Sequence, residues 1–421
     1  MSITRRIFMR NSALAVVGTS VVPAFLTRAV YAAETLGVKN KRLVVIFQRG
    51  AADGLNIVVP HGEQAYYAMR PSINIPRNAV LELDGFFGLH PAMASFQPLW
   101  NQKHLAIVHA AGSPDPTRSH FDAQDFMESG TPGVKATEDG WLNRTLHELP
   151  KPASSQGNGQ GDVPFRAIAL GPSLPRILSG AEPAVALNNI SDFGVGGNNK
   201  NAAPIANTFE AMYDHSVDSV LHGTGQETFE AVKMLKSADP AKYTPALGAN
   251  YPKGHFADSL KQLAQLIKAN LGVQVAFADI GGWDHHVNEG STQGQIANVL
   301  GEFSQSLSAF WTDLGDLAED TVVVTMSEFG RTARENGNRG TDHGHANVMF
   351  VMGGPVKGGK VYGRWPGLDQ AQLYEGRDLA VTTDFRRVVG EGVSRHLGNP
   401  HLDAVFPGFD NQPGSFLKFL G

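Results

Sequence analysis

Short apolar, β-branched runs recur along the chain, each followed by a polar or glycine-rich segment and then by residues of helical period. Arg42–Phe47 (RLVVIF) reads as the first strand, with a turn over Arg49–Gly54 and a second apolar run over Leu55–Pro60. His104–His109 gives the next strand, and Ser119–Ser129 a helix, for which Asp115, Thr117 and Ser119 are suitable N-caps. Phe165–Leu170 and Ala184–Leu187 are short strands, whereas Lys151–Asp162 and Asn188–Pro204 lack periodicity and read as loops. From Ile205 to Leu271 the pattern turns helical. There Phe256, Leu260, Leu263, Ile267 and Leu271 fall at spacings of three and four on one face, as expected for a helical insertion, about residues 205–271, lying over a sheet. Strands resume at Val273–Asp279, Thr321–Thr325 and Asn347–Met352, with a long connecting helix over Gln295–Leu317. This alternation predicts an α/β fold, a doubly wound and mostly parallel sheet with helices on both faces.

The first 33 residues do not fit that pattern and read as an address. Thr4-Arg5-Arg6-Ile7-Phe8-Met9-Arg10 matches the twin-arginine export signal, and the apolar stretch from Ser12 to Leu26 is too short for a membrane span. A cut near Val30–Ala33 leaves a domain over residues 34–421, placed in the periplasm or outside the cell, with the twin-arginine translocase as its partner during export. No later segment is apolar for long enough to span a bilayer. Removing the leader's four arginines leaves 31 basic against 40 acidic residues, a net charge of −9. Without clustered Lys and Arg there is no nucleic-acid footprint. The chain has no cysteine, which excludes disulfides, thiolate metal sites and a cysteine nucleophile. Any metal must be held by carboxylate, imidazole or hydroxyl groups.

The chemistry concentrates where strands end. In open α/β sheets ligands bind beyond the carboxyl ends of strands. Residues 321–345, TVVVTMSEFGRTARENGNRGTDHGH, run from a buried valine strand into Glu328 and Arg331 and then into Asp342, His343 and His345. Extended entry into the next strand lets His343 and His345 share a face and converge on one metal. A second window, GGWDHH, follows another strand; in extended form Asp284 and His286 face one way and His285 the other. Arg331 has the geometry to clamp a tetrahedral anion, or to pair with Glu328. Ser119 and His120 open a helix, so each is a nucleophile candidate, while capping alone also accounts for Ser119. Asp53 lies just after the first strand, as a ligand or a turn residue. Gly194-Val195-Gly196-Gly197 lacks the strand–turn–helix setting of a dinucleotide loop, and there is no G-x-S-x-G elbow.

Taken together, GGWDHH, SEFGRT, the Asp342-His343 pair and MGGPVKGGKVYG, behind a twin-arginine leader, resemble an exported bacterial family, a domain of unknown function grouped with the alkaline phosphatase and sulfatase superfamily. That resemblance runs over nearly all of residues 34–421. It implies a doubly wound fold, a divalent-metal site at the strand ends, and hydrolysis of small-molecule or polymer-linked phosphate or sulfate esters. On the resemblance, Asp53, Asp284, His286, Glu328, Asp342, His343 and His345 are expected metal ligands, and Ser119, His120 and Arg331 catalytic groups. The chain also departs from the superfamily's pattern: Phe329 stands where an imidazole follows the acid, and His120 stands at the nucleophile position. A variant or remnant site is therefore implied rather than a standard dinuclear zinc centre. The alternative is a non-catalytic periplasmic binding or assembly protein that keeps the hydrolase fold.

Overall fold

The computed structural model describes residues 41–149, 165–190, 243–410 and 413–420. They belong to one of two compact units, that formed by Asn40–Pro150 and Pro164–Gly421. The leader, the loop over 151–162, most of 188–204 and the part of the expected helical insertion up to residue 242 lie outside the described residues.

Among the described residues twelve strands are formed: β1 (Arg42–Gln48), β2 (Val58–Val59), β3 (Leu81–Glu82), β4 (Gly88–Leu89), β5 (Leu105–Gly112), β6 (Ala167–Leu170), β7 (Val185–Leu187), β8 (Val275–Ile280), β9 (Thr321–Met326), β10 (Asn347–Gly353), β11 (Lys360–Tyr362) and β12 (Thr383–Asp384). Nine make one sheet, in the order β11-β5-β10-β9-β1-β8-β6-β7, with β12 also paired to β5. β2, β4 and β3 form a small antiparallel sheet. Every residue of β1 is buried, which explains the unbroken apolar run Leu43–Phe47 within it. Leu43, Val45 and Phe47 enter one core, with Trp141 and Phe385, while Val44 and Ile46 enter the other, with Leu260 and Phe303. That is the period-two alternation of a strand covered on both faces.

The first core is closed by helices α2 (Trp141–Glu148) and α5 (Phe385–Glu391), the second by α3 (His255–Lys268) and α4 (Gln295–Leu314). The described part of the stretch read as an insertion, α3, therefore covers the sheet directly. On α4, Ile296, Leu300, Phe303, Leu307, Phe310 and Leu314 are all buried at helical spacing. The helix ends at Leu314, earlier than the apolar pattern suggested, because a 3₁₀ turn over Gly315–Asp320 leads into β9. The run Leu55–Pro60 is likewise divided, into a single helical turn at Gly54–Ile57 and β2. Among the described residues no helix is long and apolar enough to cross a membrane.

One strand departs from the parallel arrangement, and the departure positions the site. β1 runs parallel to β8 and β9, whereas β10 runs antiparallel to both β5 and β9. The carboxyl ends of β1, β5, β8 and β9 therefore lie at the same edge as the amino end of β10. Residues 49–53, 113–120, 281–286, 327–331 and 342–346 all leave or enter the sheet there.

Candidate metal centre

Two loops at this edge approach so closely that only glycine fits between them. Arg331 and His343 form an isolated antiparallel bridge, and the Gly344 N–H donates to the Gly330 carbonyl at 2.8 Å. A Cβ on Gly330 would lie 1.8 Å from the carbonyl oxygen of Ala346, and one on Gly344 2.3 Å from the carbonyl carbon of Arg331. Both obstacles are backbone, so neither can swing aside. Gly330→Ala is expected to cost about 3 kcal/mol or more, read from the denaturant midpoint, because the loop bearing His343 must move away.

Three imidazoles and a carboxylate meet beside this bridge. His343 Nε2 lies 3.0 Å from His120 Nε2 and 3.0 Å from His286 Nε2. Asp284 Oδ1 is 3.0 Å from His286 Nε2 and 3.4 Å from His343 Nε2, and its Oδ2 is 3.7 Å from His120 Nε2. Zn–N bonds of about 2.0–2.1 Å set neighbouring donors of a tetrahedral ion about 3.3 Å apart, so the spacing suits one ion.

The other ring nitrogens decide the tautomers. His120 Nδ1 is 2.8 Å from Glu328 Oε1, His286 Nδ1 is 3.2 Å from Asp342 Oδ1, and His343 Nδ1 is 2.9 Å from the Arg118 carbonyl. Each of these partners only accepts, so each Nδ1 carries the proton and donates. In the neutral rings all three Nε2 atoms then present lone pairs to one another. Such a convergence is repulsive unless a cation stands among them, and an outer carboxylate or carbonyl on each imidazole is the usual support of a metal ligand. Without an ion a proton takes that place. Glu328's hydrogen bond raises the His120 pKa above its ordinary value, whereas burial lowers that of His343, making the two a donor and an acceptor.

Glu328 is wholly buried and serves the site from behind. It accepts from the Gly50 N–H at 2.9 Å, from Gln124 Nε2 at 2.9 Å, from Ser327 Oγ at 3.0 Å and from His120. Burial opposes its charge, yet these bonds, His120's first, hold its pKa below the ordinary value. Phe329, 2% exposed, packs its ring 5.0 Å from those of His120 and His343 and fixes their planes from the apolar side. Arg331 is fully buried; its Nη1 donates to Asp284 Oδ1 at 2.9 Å and its Nε to Thr341 Oγ1 at 3.2 Å, while Nη2 has no partner. Burial works against the Asp284 charge, but Arg331, then His286 and His120, outweigh it and lower its pKa.

The expected ligands therefore separate into groups. Asp284, His286 and His343 offer donor atoms at the centre, together with His120, which the sequence had suggested as a nucleophile. Glu328 and Asp342 stand one bond further out. Two expectations are corrected. Asp53 is held in a bidentate ion pair with Arg70, Oδ1 accepting from Nη2 at 2.9 Å and Oδ2 from Nη1, which leaves it no part in the centre. His345 does not converge with His343: its Nε2 donates to the Ser113 carbonyl at 3.1 Å and its ring packs 4.4 Å from Tyr374. Ser119 is exposed at the N-cap of α1 (His120–Ser129), without a side-chain cap bond. The sequence reading missed Gln124 and the Arg118 carbonyl. Gln124 sits one turn after His120 on α1 and was legible once that helix was placed, but a backbone carbonyl leaves no trace in a sequence.

Fold and donor set define an α/β protein with a candidate metal centre at the carboxyl edge of its sheet. The chain belongs to the family described as a protein of unknown function, DUF1501, whose pattern matches residues 40–403. Comparison with curated protein sequences gives no match. Among solved structures it is similar to the lipoteichoic acid synthase LtaP from Listeria monocytogenes, at 10% identity over 77% of this chain and 71% of that one, with a TM-score of 0.30. It is also similar to the C-terminal periplasmic domain of EcEptC from Escherichia coli in complex with Zn, at 8% identity over 75% and 73%, TM-score 0.34. A third is the PsFucS1 sulfatase from Pseudoalteromonas sp., at 13% identity over 80% and 68%, TM-score 0.35.

Proposed function

We propose that this protein is an exported, metal-dependent hydrolase of phosphate or sulfate esters with a single-ion centre held by His120, His286, His343 and Asp284. One observation carries the reading: three imidazole Nε2 atoms and a carboxylate meet at the solvent-facing edge of the sheet. Among the described residues, His120, Asp284 and His343 are the one group of donors close enough together to hold an ion, with His286 beside them. A divalent ion bound there supplies Lewis acidity toward an ester oxygen.

The rest is the work of the chain. Glu328, Asp342 and the Arg118 carbonyl hold the Nδ1 protons and so keep the Nε2 atoms free. Arg331 keeps Asp284 ionised and adds positive charge behind a developing oxyanion. With His120 occupied as a donor, the exposed Ser119 hydroxyl or a water is left as the nucleophile. Phe329 favours the second reading, a metal-holding binding protein without turnover, because it fills the place of a further donor. Export rests on the leader alone.

The purified protein is expected to carry a stoichiometric divalent metal by elemental analysis, and His343→Ala and Asp284→Ala are expected to lose it while remaining folded. A metal-free parent, or metal retained in both variants, overturns the reading. Turnover of 4-nitrophenyl phosphate or 4-nitrophenyl sulfate by the loaded parent separates hydrolase from binding protein.

A further inference from the structure

A cavity of about 240 Å³ opens beside the centre, lined by Arg334, Glu335, Asp342, Arg377, Met69 and Leu373 among others. Asp342 belongs to both places, since its Oδ1 also accepts from His286 Nδ1 at 3.2 Å. The volume lies below the ~300 Å³ at which ordinary ligand pockets begin. It suits one group of a substrate rather than a whole one.

The acids around this cavity are already engaged. Glu335 accepts from the Ser72 and Ile73 N–H groups and from Ser72 Oγ, at 2.9, 3.0 and 2.9 Å. Asp342 Oδ1 also accepts from Asn336 at 3.1 Å. Asp378, behind Arg377, takes Arg118 Nε at 3.1 Å and Nη2 at 2.6 Å, leaving Arg377 Nη1 at 3.6 Å. Arg377 Nη2 donates only to the His343 carbonyl, at 2.8 Å. Arg334 is exposed, and no acid among the described residues pairs with its guanidinium. Arg334 and Arg377 thus bring two forked guanidinium groups to a cavity that also holds the Glu335 and Asp342 carboxylates, and the forked groups are the chemistry that takes a planar or tetrahedral oxyanion.

We propose that this cavity is a substrate subsite for a second oxyanion, a carboxylate, phosphate or sulfate that the substrate carries beyond the ester group at the metal. Arg334 and Arg377 bind it, and Leu373 and Met69 receive the apolar surface next to it. The subsite rests on the hydrolase reading for its role, but its anion binding does not depend on the metal. Asp342 links the two, because an anion drawn toward Arg377 sits beside the carboxylate that orients His286.

The test is calorimetric titration of metal-stripped protein at pH 8 with inorganic sulfate at constant ionic strength. Sulfate is expected to bind the parent and His343→Ala alike, and at least tenfold more weakly to Arg334→Gln/Arg377→Gln. Binding lost in His343→Ala but kept in the arginine double variant places the anion at the imidazoles and overturns the subsite. Absence of binding to the parent overturns it as well. Because no metal is present, failure of the metal centre leaves this readout intact.

Discussion

Replacing Arg70 with methionine is expected to destabilise the protein by about 3–5 kcal/mol, the cost of breaking a buried ion pair from one side. Arg70 is 0% exposed and makes a bidentate pair with Asp53, itself 2% exposed. It also donates to the carbonyls of Thr332 and Ala333, at 2.8 and 2.9 Å, and so ties down the segment just after Arg331. Burial opposes the Asp53 charge and Arg70 outweighs it, lowering the Asp53 pKa. Glu289 is the complement: burial first, then the neighbouring Asp53, raise its pKa well above the ordinary value, which favours its protonated form beside Asp53. Without Arg70 the anion loses its main partner. The double variant Arg70→Met/Asp53→Asn is expected to recover at least ~1 kcal/mol of that loss, since both ends of the pair are gone. Urea midpoints of the parent, both single variants and the double variant test this. Strict additivity would show that the pair is not the source of the effect.

The second large effect is a pH dependence carried by two histidines. Burial lowers the pKa of His109 and of His396, each to about 4. His109 Nε2 donates to the Val58 carbonyl at 2.9 Å, and His396 Nε2 to that of Arg42 at 3.0 Å. Both bonds use the neutral ring. The unfolded chain, with histidine near 6.5, binds more protons than the folded one between pH 6.5 and 4. The contribution of each ring is therefore fully present above pH 6.5 and lost as pH falls toward 4, about 3 kcal/mol apiece. Raised acids such as Glu289 change stability in the opposite sense, so the comparison must be between variants. Glutamine at either position keeps a donor but cannot charge. Acidification from pH 7 to 4 is expected to weaken the parent by about 3 kcal/mol relative to His109→Gln or His396→Gln, and by about twice that relative to the double variant. Parallel stability curves for parent and variants would refute the assignment.

Seven strands of the main sheet were legible, the central ones because burial on both faces writes itself as unbroken apolar runs, as in Val322, Val323 and Val324; the two- and three-residue strands β12 and β11 were not. The direction of β10 was not, since a strand reads the same whichever way it runs. The reading of His343 and His345 failed for a different reason, because both precede β10 instead of lying within it. Spacing put them on one face, yet the bridge to Arg331 holds His343 at the centre while Ser113 and Tyr374 take His345 elsewhere. Asp284 and His286 follow the period-two rule, and His285 is turned into the interior. Asp53 was misread because its partner, Arg70, lies across a short helix and a turn with no motif to announce it.

The central position of β1 also bears on how the chain is made. It emerges first among the described strands, yet its neighbours β8 and β9 begin at Val275 and Thr321. Through most of synthesis this apolar strand has both edges open to stray pairing, and the distant pairings that close them are the slow kind. A chain cut before Met326 lacks the middle of its own sheet. Folding of this protein is thus tied to completion of the chain, and a nascent product needs protection until then.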